Sequence, residues 1–173
     1  ATAAFASAYA WSTSGTGTFD DATALNPVYT PSAADILAGA VTLTITASSA
    51  APCADATDAM VLNINRQATV SAGTDATICE SAGNYTLAGA VASNATSLLW
   101  TTSGTGFFNN ATTLNPVYTP SAADIATGSV TLTITANSAA PCVSASDAMV
   151  LNISRQAIVS AGADATICEG ADF

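Results

Sequence analysis

The chain repeats itself with a period of 89 residues, and everything else about its fold must fit that period. Trp11 recurs as Trp100, Cys53 as Cys142, Met60 as Met149, Arg66 as Arg155 and Cys79 as Cys168. From Ser12 to Asn84, 55 of 73 positions are identical to the residue 89 further on. A chain of 173 residues suits one or two domains. The period sets the number at about two and makes function a property of a repeated unit rather than of one site. Ala1 aligns with Ala90 and Phe173 with Asn84, so the chain reads as a window on a longer array. The expected organisation is residues 1–65 as the C-terminal part of one repeat, 66–154 as a complete repeat and 155–173 as the first strand of the next. Residues 1–10 match their counterparts only at Ala1, Ala3 and Ala6, and carry little weight.

Within residues 66–154 the sequence alternates short β-patterns with turn signals. Ala76–Cys79 reads as a first strand, Tyr85–Ala90 as a second and Ser97–Thr102 as a third, with Trp100 its largest apolar group. Ser103-Gly104-Thr105-Gly106 is a turn, and Phe107-Phe108 begins a short strand. Asn115 to Pro120 is a strand with proline near both ends, which suits a sheet edge. Ser121 to Gly128 predicts one helical turn, with Ser121 as N-cap and Gly128 as its stop. Val130, Leu132 and Ile134 alternate with threonines, and Met149, Leu151 and Ile153 alternate in a last strand. About seven strands in 89 residues, with turns every 8 to 12, predict an all-β fold: tandem immunoglobulin-like antiparallel β-sandwiches. A unit of this size can bury its own core. Between Ile64 and Cys79 no Gly, Ser or Pro run acts as a flexible tether, so successive units are expected to follow closely, as a semi-rigid rod.

Charge excludes several functions. Twelve Asp and Glu face two Arg, with no Lys and no His, for a net charge of −10. Nucleic acid binding needs cations to neutralise phosphate, so it is not expected. Anionic membrane surfaces are disfavoured for the same reason, and no apolar run is long enough to insert in a membrane. The absence of His removes the commonest general base and metal ligand. No catalytic residue, cofactor-binding residue or metal ligand set is assigned, and the chain is not read as an enzyme.

The segments SAGTDATICESAGNYTLAGA, WTTSGTGFF, NPVYTPSAADIATGSVTLTITA and PCVSASDAMVLNI resemble PKD-like and bacterial Ig-like repeats of very large Bacteroidetes surface proteins, gliding-motility adhesins among them. The resemblance covers essentially the whole chain. It implies an extracellular, cell-surface location, type IX secretion and a stalk or adhesin role, and it brings no catalytic residues.

Four side-chain groups have alternatives to weigh. In an exported protein, Cys at fixed positions in each repeat reads as a disulfide framework. Cys79 with Cys142, inside one unit, is the favoured pair. The alternative joins Cys53 with Cys79 and Cys142 with Cys168. Two Cys per unit without His or CxxC is not a zinc pattern. Asp20-Asp21, Asp35, Asp55, Asp58 and Asp75 raise Ca²⁺ as a possible ligand. However, Asn109-Asn110 and Ser144 replace three of these acids in the second copy, and turn or capping roles fit the rest. Trp11 and Trp100 read as core aromatics rather than as sugar platforms. The rows Thr42, Thr44, Thr46 and Thr131, Thr133, Thr135 read as solvated strand faces rather than as a glycan-binding array. Asn84, Asn94, Asn110 and Asn152 each begin an Asn-x-Ser/Thr sequon.

The resulting expectation is a non-enzymatic extracellular repeat forming the stalk or fibre of a large adhesin. Its partners are neighbouring repeats of the same chain, with surface glycans as a lesser possibility. The alternatives are a subunit of a self-assembling filament or sheath, in which identical chains pair edge to edge, and a carbohydrate-binding module.

Overall fold

The computed structural model describes residues 1–170. Strands dominate. The first copy contains β1 (Ala8–Thr13), β2 (Thr18–Phe19), β3 (Tyr29–Thr30), β4 (Ala40–Ser48) and β5 (Ala56–Asn63), with helix α1 (Ala33–Ala38) before β4. Then follow β6 (Thr69–Ser71), β7 (Ala76–Cys79), a 3₁₀ turn (Glu80–Ala82), β8 (Tyr85–Thr86), β9 (Val91–Ser93), β10 (Ser97–Thr102), β11 (Phe107–Phe108) and β12 (Val117–Thr119). Helix α2 (Ala122–Thr127), β13 (Ser129–Asn137) and β14 (Ala145–Ser154) complete the second copy. The all-β sandwich class is therefore what forms. The seven expected strands are present, some shorter than their sequence pattern, and β6 and β9 join them. These two are three residues each and too short for a readable period.

The sheets are ordered β1-β4-β5, β2-β3, β10-β13-β14-β7, β11-β12-β8 and β6-β9. Among the described residues, every ladder pairs strands lying on the same side of residue 65. β7 runs parallel to β14, with Leu151 opposite Ala76 and Ser154 opposite Cys79. The first strand of the repeat thus adds to the outer edge of its last strand.

By contact density the chain forms two compact units. One comprises Ala1–Val70, Ala92–Leu98 and Thr135–Ser146; the other comprises Ser71–Val91, Leu99–Ile134 and the chain from Asp147 onward. In the first unit β4 is central, paired to β1 from Ala8↔Ser48 to Thr13↔Leu43 and to β5 from Ala40↔Asn63 to Ala47↔Ala56. In the second, Leu87, Trp100, Tyr118, Val130, Leu132, Ile134, Met149, Leu151 and Ile153 are buried. The period of two explains the selection: Val130, Leu132 and Ile134 face inward, and the threonines between them face outward.

The two copies differ in how far the core is closed. Met149 is 2% exposed, whereas its equivalent Met60 is 50% exposed. Trp100 is buried and Trp11 only half-buried.

Residues 155–170, whose sequence repeats that of 66–81, carry no strand. Residues 171–173 lie outside the described residues, so the part of the expected 155–173 strand that falls there is not placed.

Candidate functional site

The most elaborate polar arrangement in each copy centres on one buried aspartate. Asp124 is 2% exposed and its equivalent Asp35 is 3% exposed. Ser121 caps α2: its hydroxyl accepts from the Asp124 N–H, and the Asp124 carboxylate accepts from the Ser121 N–H. Gly128 ends the helix at φ 86°, where a Cβ would be strained. Asp124 also accepts from the Thr105 N–H at 2.9 Å, the Gly106 N–H at 2.9 Å and the Tyr118 hydroxyl at 2.8 Å. The Gly104–Gly106 turn therefore folds over the helix start. A Cβ on Gly104 would lie 2.1 Å from Asp124 Oδ1, and one on Gly106 would lie 2.5 Å from the Tyr118 hydroxyl. The glycines are dictated by close approach to the aspartate, and their φ angles play no part.

Burial by itself pushes the Asp124 carboxyl up, but hydrogen bonds from Ser121, Thr105 and Tyr118 outweigh it and leave the group below the usual carboxylate range. Asp35 is held well below that range by the Ser32 and Thr16 N–H groups, with Tyr29 adding to them. Desolvation raises the Tyr118 hydroxyl above its ordinary value, and the neighbouring Asp124 reinforces this. A carboxylate fixed by four donors is a fastener. Its lone pairs are occupied, and it has no free edge to offer a substrate or a metal ion.

Aromatic packing adjoins this corner. The rings of Trp100 and Phe108 are 6.0 Å apart and those of Phe108 and Tyr118 are 5.0 Å apart, both tilted. Trp100 Nε1 donates to the Leu114 carbonyl at 3.3 Å. With 2% of its surface exposed, Trp100 offers no face to a sugar. The first copy reproduces the row as Trp11, Phe19 and Tyr29, at 5.9 and 5.0 Å, but Trp11 Nε1 is buried without a partner.

The remaining acids serve as turn acceptors. Asp20 Oδ1 accepts from the Asp21 and Val28 N–H groups, and Asp21 Oδ1 accepts from the Thr23 N–H and hydroxyl. Asn109 and Asn110 make the same four bonds in the second copy, to Asn110, Val117 and Thr112. Only a carbonyl-type oxygen is needed, which is why Asp and Asn exchange here. Asn109→Asp with Asn110→Asp is therefore expected to change stability by less than about 0.5 kcal/mol, measured by urea unfolding. Asp147 accepts from the Ala72 N–H at 2.8 Å and Asp75 from the Val150 N–H at 2.8 Å. Among the described residues no group of three or more Cys, Asp or Glu converges as a metal cluster.

A second polar cluster ties the segment after β5 to the loop between β13 and β14. The Ala68 N–H donates to Ser138 Oγ at 2.8 Å, Asn65 Nδ2 donates to the Ala140 carbonyl, and Cys142 Sγ donates to the Asn65 carbonyl at 3.2 Å. Asn94 Nδ2 donates to the Gln67 carbonyl at 3.2 Å. All these residues lie in the first compact unit. The absence of a Gly or Ser tether was legible in the sequence. The clasp was not, because Asn65, Asn94 and Ser138 are ordinary loop residues until the fold brings them together.

The disulfide expectation needs correction. Cys53, Cys79, Cys142 and Cys168 are all free thiols, so none of the pairs Cys79–Cys142, Cys53–Cys79 or Cys142–Cys168 is bonded. Cys79 sits opposite Ser154 at the end of β14, while Cys142 precedes the start of that strand. Ten strand residues span about 30 Å, against the 7 Å or so that a disulfide allows between Cα atoms. The parallel placement of β7, which the sequence did not reveal, separates the two. Cys79 is exposed and accepts from the Ser81 hydroxyl at 3.1 Å, which lowers its thiol from the usual value.

No family model matches the chain, and no curated protein matches it. Among solved structures it is similar to the extracellular cadherin domains 3–6 of protocadherin gamma B2, at 12% identity and a TM-score of 0.41, covering 84% of this chain and 41% of that one. It is likewise similar to the domain 3–6 cis-dimer structure of protocadherin gammaB7, at 16% identity and a TM-score of 0.43, covering 87% of this chain and 41% of that one. The chain spans about two fifths of the length of those structures.

Proposed function

We propose that this chain is a non-enzymatic, extracellular, load-bearing repeat, a segment of the stalk of a large cell-surface adhesin. The observation that carries the reading is the conjunction of two features. Each hydrogen-bonded ladder closes on its own side of residue 65, and the segment after β5 is clasped by side-chain and backbone bonds to Asn65, Gln67 and Ala68. Units that close their own ladders unfold one at a time, and the segment after β5 is held by these bonds rather than left as a floppy tether. The conserved polar machinery of the two copies, Asp35 and Asp124, is consumed in holding a turn to a helix. The resemblance to repeats of Bacteroidetes surface proteins supports export and a place at the cell surface. An acidic surface without lysine suits this role, since it resists non-specific association.

A second reading is a self-assembling filament, in which a strand edge of one chain is completed by a neighbouring chain. The mass of the native polypeptide under reducing, denaturing conditions separates them. Hundreds of kilodaltons supports the stalk. A mass of only a few repeats, with concentration-dependent polymerisation, overturns the stalk in favour of the filament.

A further inference from the structure

Two cysteines make contacts with one equivalent backbone position of the repeat, each in a different copy. Asn65 and Ser154 are equivalent positions, 89 residues apart; Ser154 is the last residue of β14 and Asn65 lies two residues past the end of β5. In the second copy Cys79 lies directly across the parallel ladder from Ser154. At the first position Cys142, from the following copy, donates its thiol to the Asn65 carbonyl at 3.2 Å. Both cysteines thus address the same backbone position, one from the same copy and one from the next.

They also approach it from the same side. The Ile153 N–H donates to the Gly128 carbonyl, beside β13, and the Ile64 N–H makes the equivalent bond to Gly39. Backbone groups of successive strand residues point to opposite sides. The carbonyl of Ser154 therefore faces the other edge, where β7 lies, and the Asn65 carbonyl is the one that accepts from Cys142. Neighbouring strands are about 4.8 Å apart, so Cys79 lies about one strand spacing from Ser154, while the Cys142 thiol is in hydrogen-bond contact with the equivalent Asn65. The Gln156 N–H, just past the junction, donates to Glu80 Oε1 at 2.9 Å, which keeps the exit of β7 beside the start of the next copy.

We infer that consecutive repeats are stapled by a disulfide from the Cys79 position of one copy to the Cys142 position of the next. The inference rests on the repeat-array reading, not on the adhesin reading. The oxidant is a disulfide of the exported compartment, for which oxidised glutathione serves in vitro. The Cys79 thiolate attacks one glutathione sulfur and expels the first glutathione thiolate. The Cys142-position thiolate then attacks the Cys79 sulfur of the mixed disulfide and expels the second. One protein S–S bond forms, one glutathione S–S bond is reduced by two electrons, and the two thiol protons end on two glutathione molecules. The hydrogen bond from Ser81 favours Cys79 as the attacking thiolate.

The mechanical consequence follows from spacing. Cys142 and Cys168 are 26 residues apart. In a stapled array the covalent path crosses from Cys79 to the next copy and needs only such a stretch before the next crossing. Most of each repeat is then removed from the load path.

The test uses this chain and an extended version in which residues 1–154 are followed by 66–173, the later copy being marked by Val143→Ile at an exposed position. Both are incubated with oxidised glutathione, alkylated and mapped without reduction. The parent chain is expected to keep four alkylatable thiols. The extended chain is expected to gain one cross-link, joining Cys79 of the earlier complete copy to the marked Cys142 peptide, and Cys79→Ser in the earlier copy should abolish it. A Cys79–Cys142 bond within one copy, a Cys53–Cys79 bond, or an extended chain that keeps every thiol overturns the staple. Folding of both chains is checked by circular dichroism, and none of these outcomes bears on whether the array is an adhesin.

Discussion

Trp100→Ala is expected to destabilise the chain by about 3–5 kcal/mol, the range for truncating a large aromatic in a closed core. Trp100 is 2% exposed, its ring stands 6.0 Å from that of Phe108, and its Nε1 is hydrogen-bonded to Leu114. Removal therefore leaves a cavity and an orphaned carbonyl together. Trp11→Ala is expected to cost no more than about half as much by the same principle. Trp11 is half-buried, and its Nε1 has no partner to lose. Urea unfolding followed by far-ultraviolet circular dichroism reads both variants without depending on indole fluorescence. Equal losses at the two positions would mean that the first copy is as closed as the second.

Asp124→Asn should be nearly as damaging, at about 2–4 kcal/mol, because buried donors left unpaired cost about 1–3 kcal/mol each. The carboxylate accepts from Ser121, Thr105, Gly106 and Tyr118; an amide turns one of its two ends into a donor facing donors. The same aspartates set the pH response. Asp124 and Asp35 have native values depressed below the unfolded value near 4. A depressed carboxylate contributes stability that is present above its unfolded value and lost as pH falls through its native value. Unfolding midpoints should thus be flat above about pH 5 and fall progressively below about pH 4. In Asp124→Asn the acid-side fall should be shallower, since one of the linked groups has been removed.

The fold was legible wherever a period of two or a turn signal ran long enough. Val130, Leu132 and Ile134 announce β13, and the Ser121 to Gly128 pattern gives the capped helix with both its ends. The position of β7 was not legible. Ala76–Cys79 reads as a strand, but nothing in four residues says that it adds in parallel to β14, and that one pairing decides which cysteines can meet. Asp124 reads as a turn or capping acid, which is part of its role. Its bonds to Thr105 and Gly106 depend on a turn 18 residues upstream, a relation no local pattern carries. The Asp20-Asp21 to Asn109-Asn110 exchange was a usable clue to turn chemistry, since it preserves the acceptor oxygen and discards the charge.

The central claim is that the chain is an array of separately folded, load-bearing units, and pulling the native polypeptide from its two ends in an optical trap under reducing conditions tests it directly. Each unit of 89 residues should release roughly 30 nm of contour on unfolding, at about 3.6 Å per residue. The account predicts a series of force peaks at that even spacing. Smooth extension without peaks, or increments unrelated to the repeat, would contradict it.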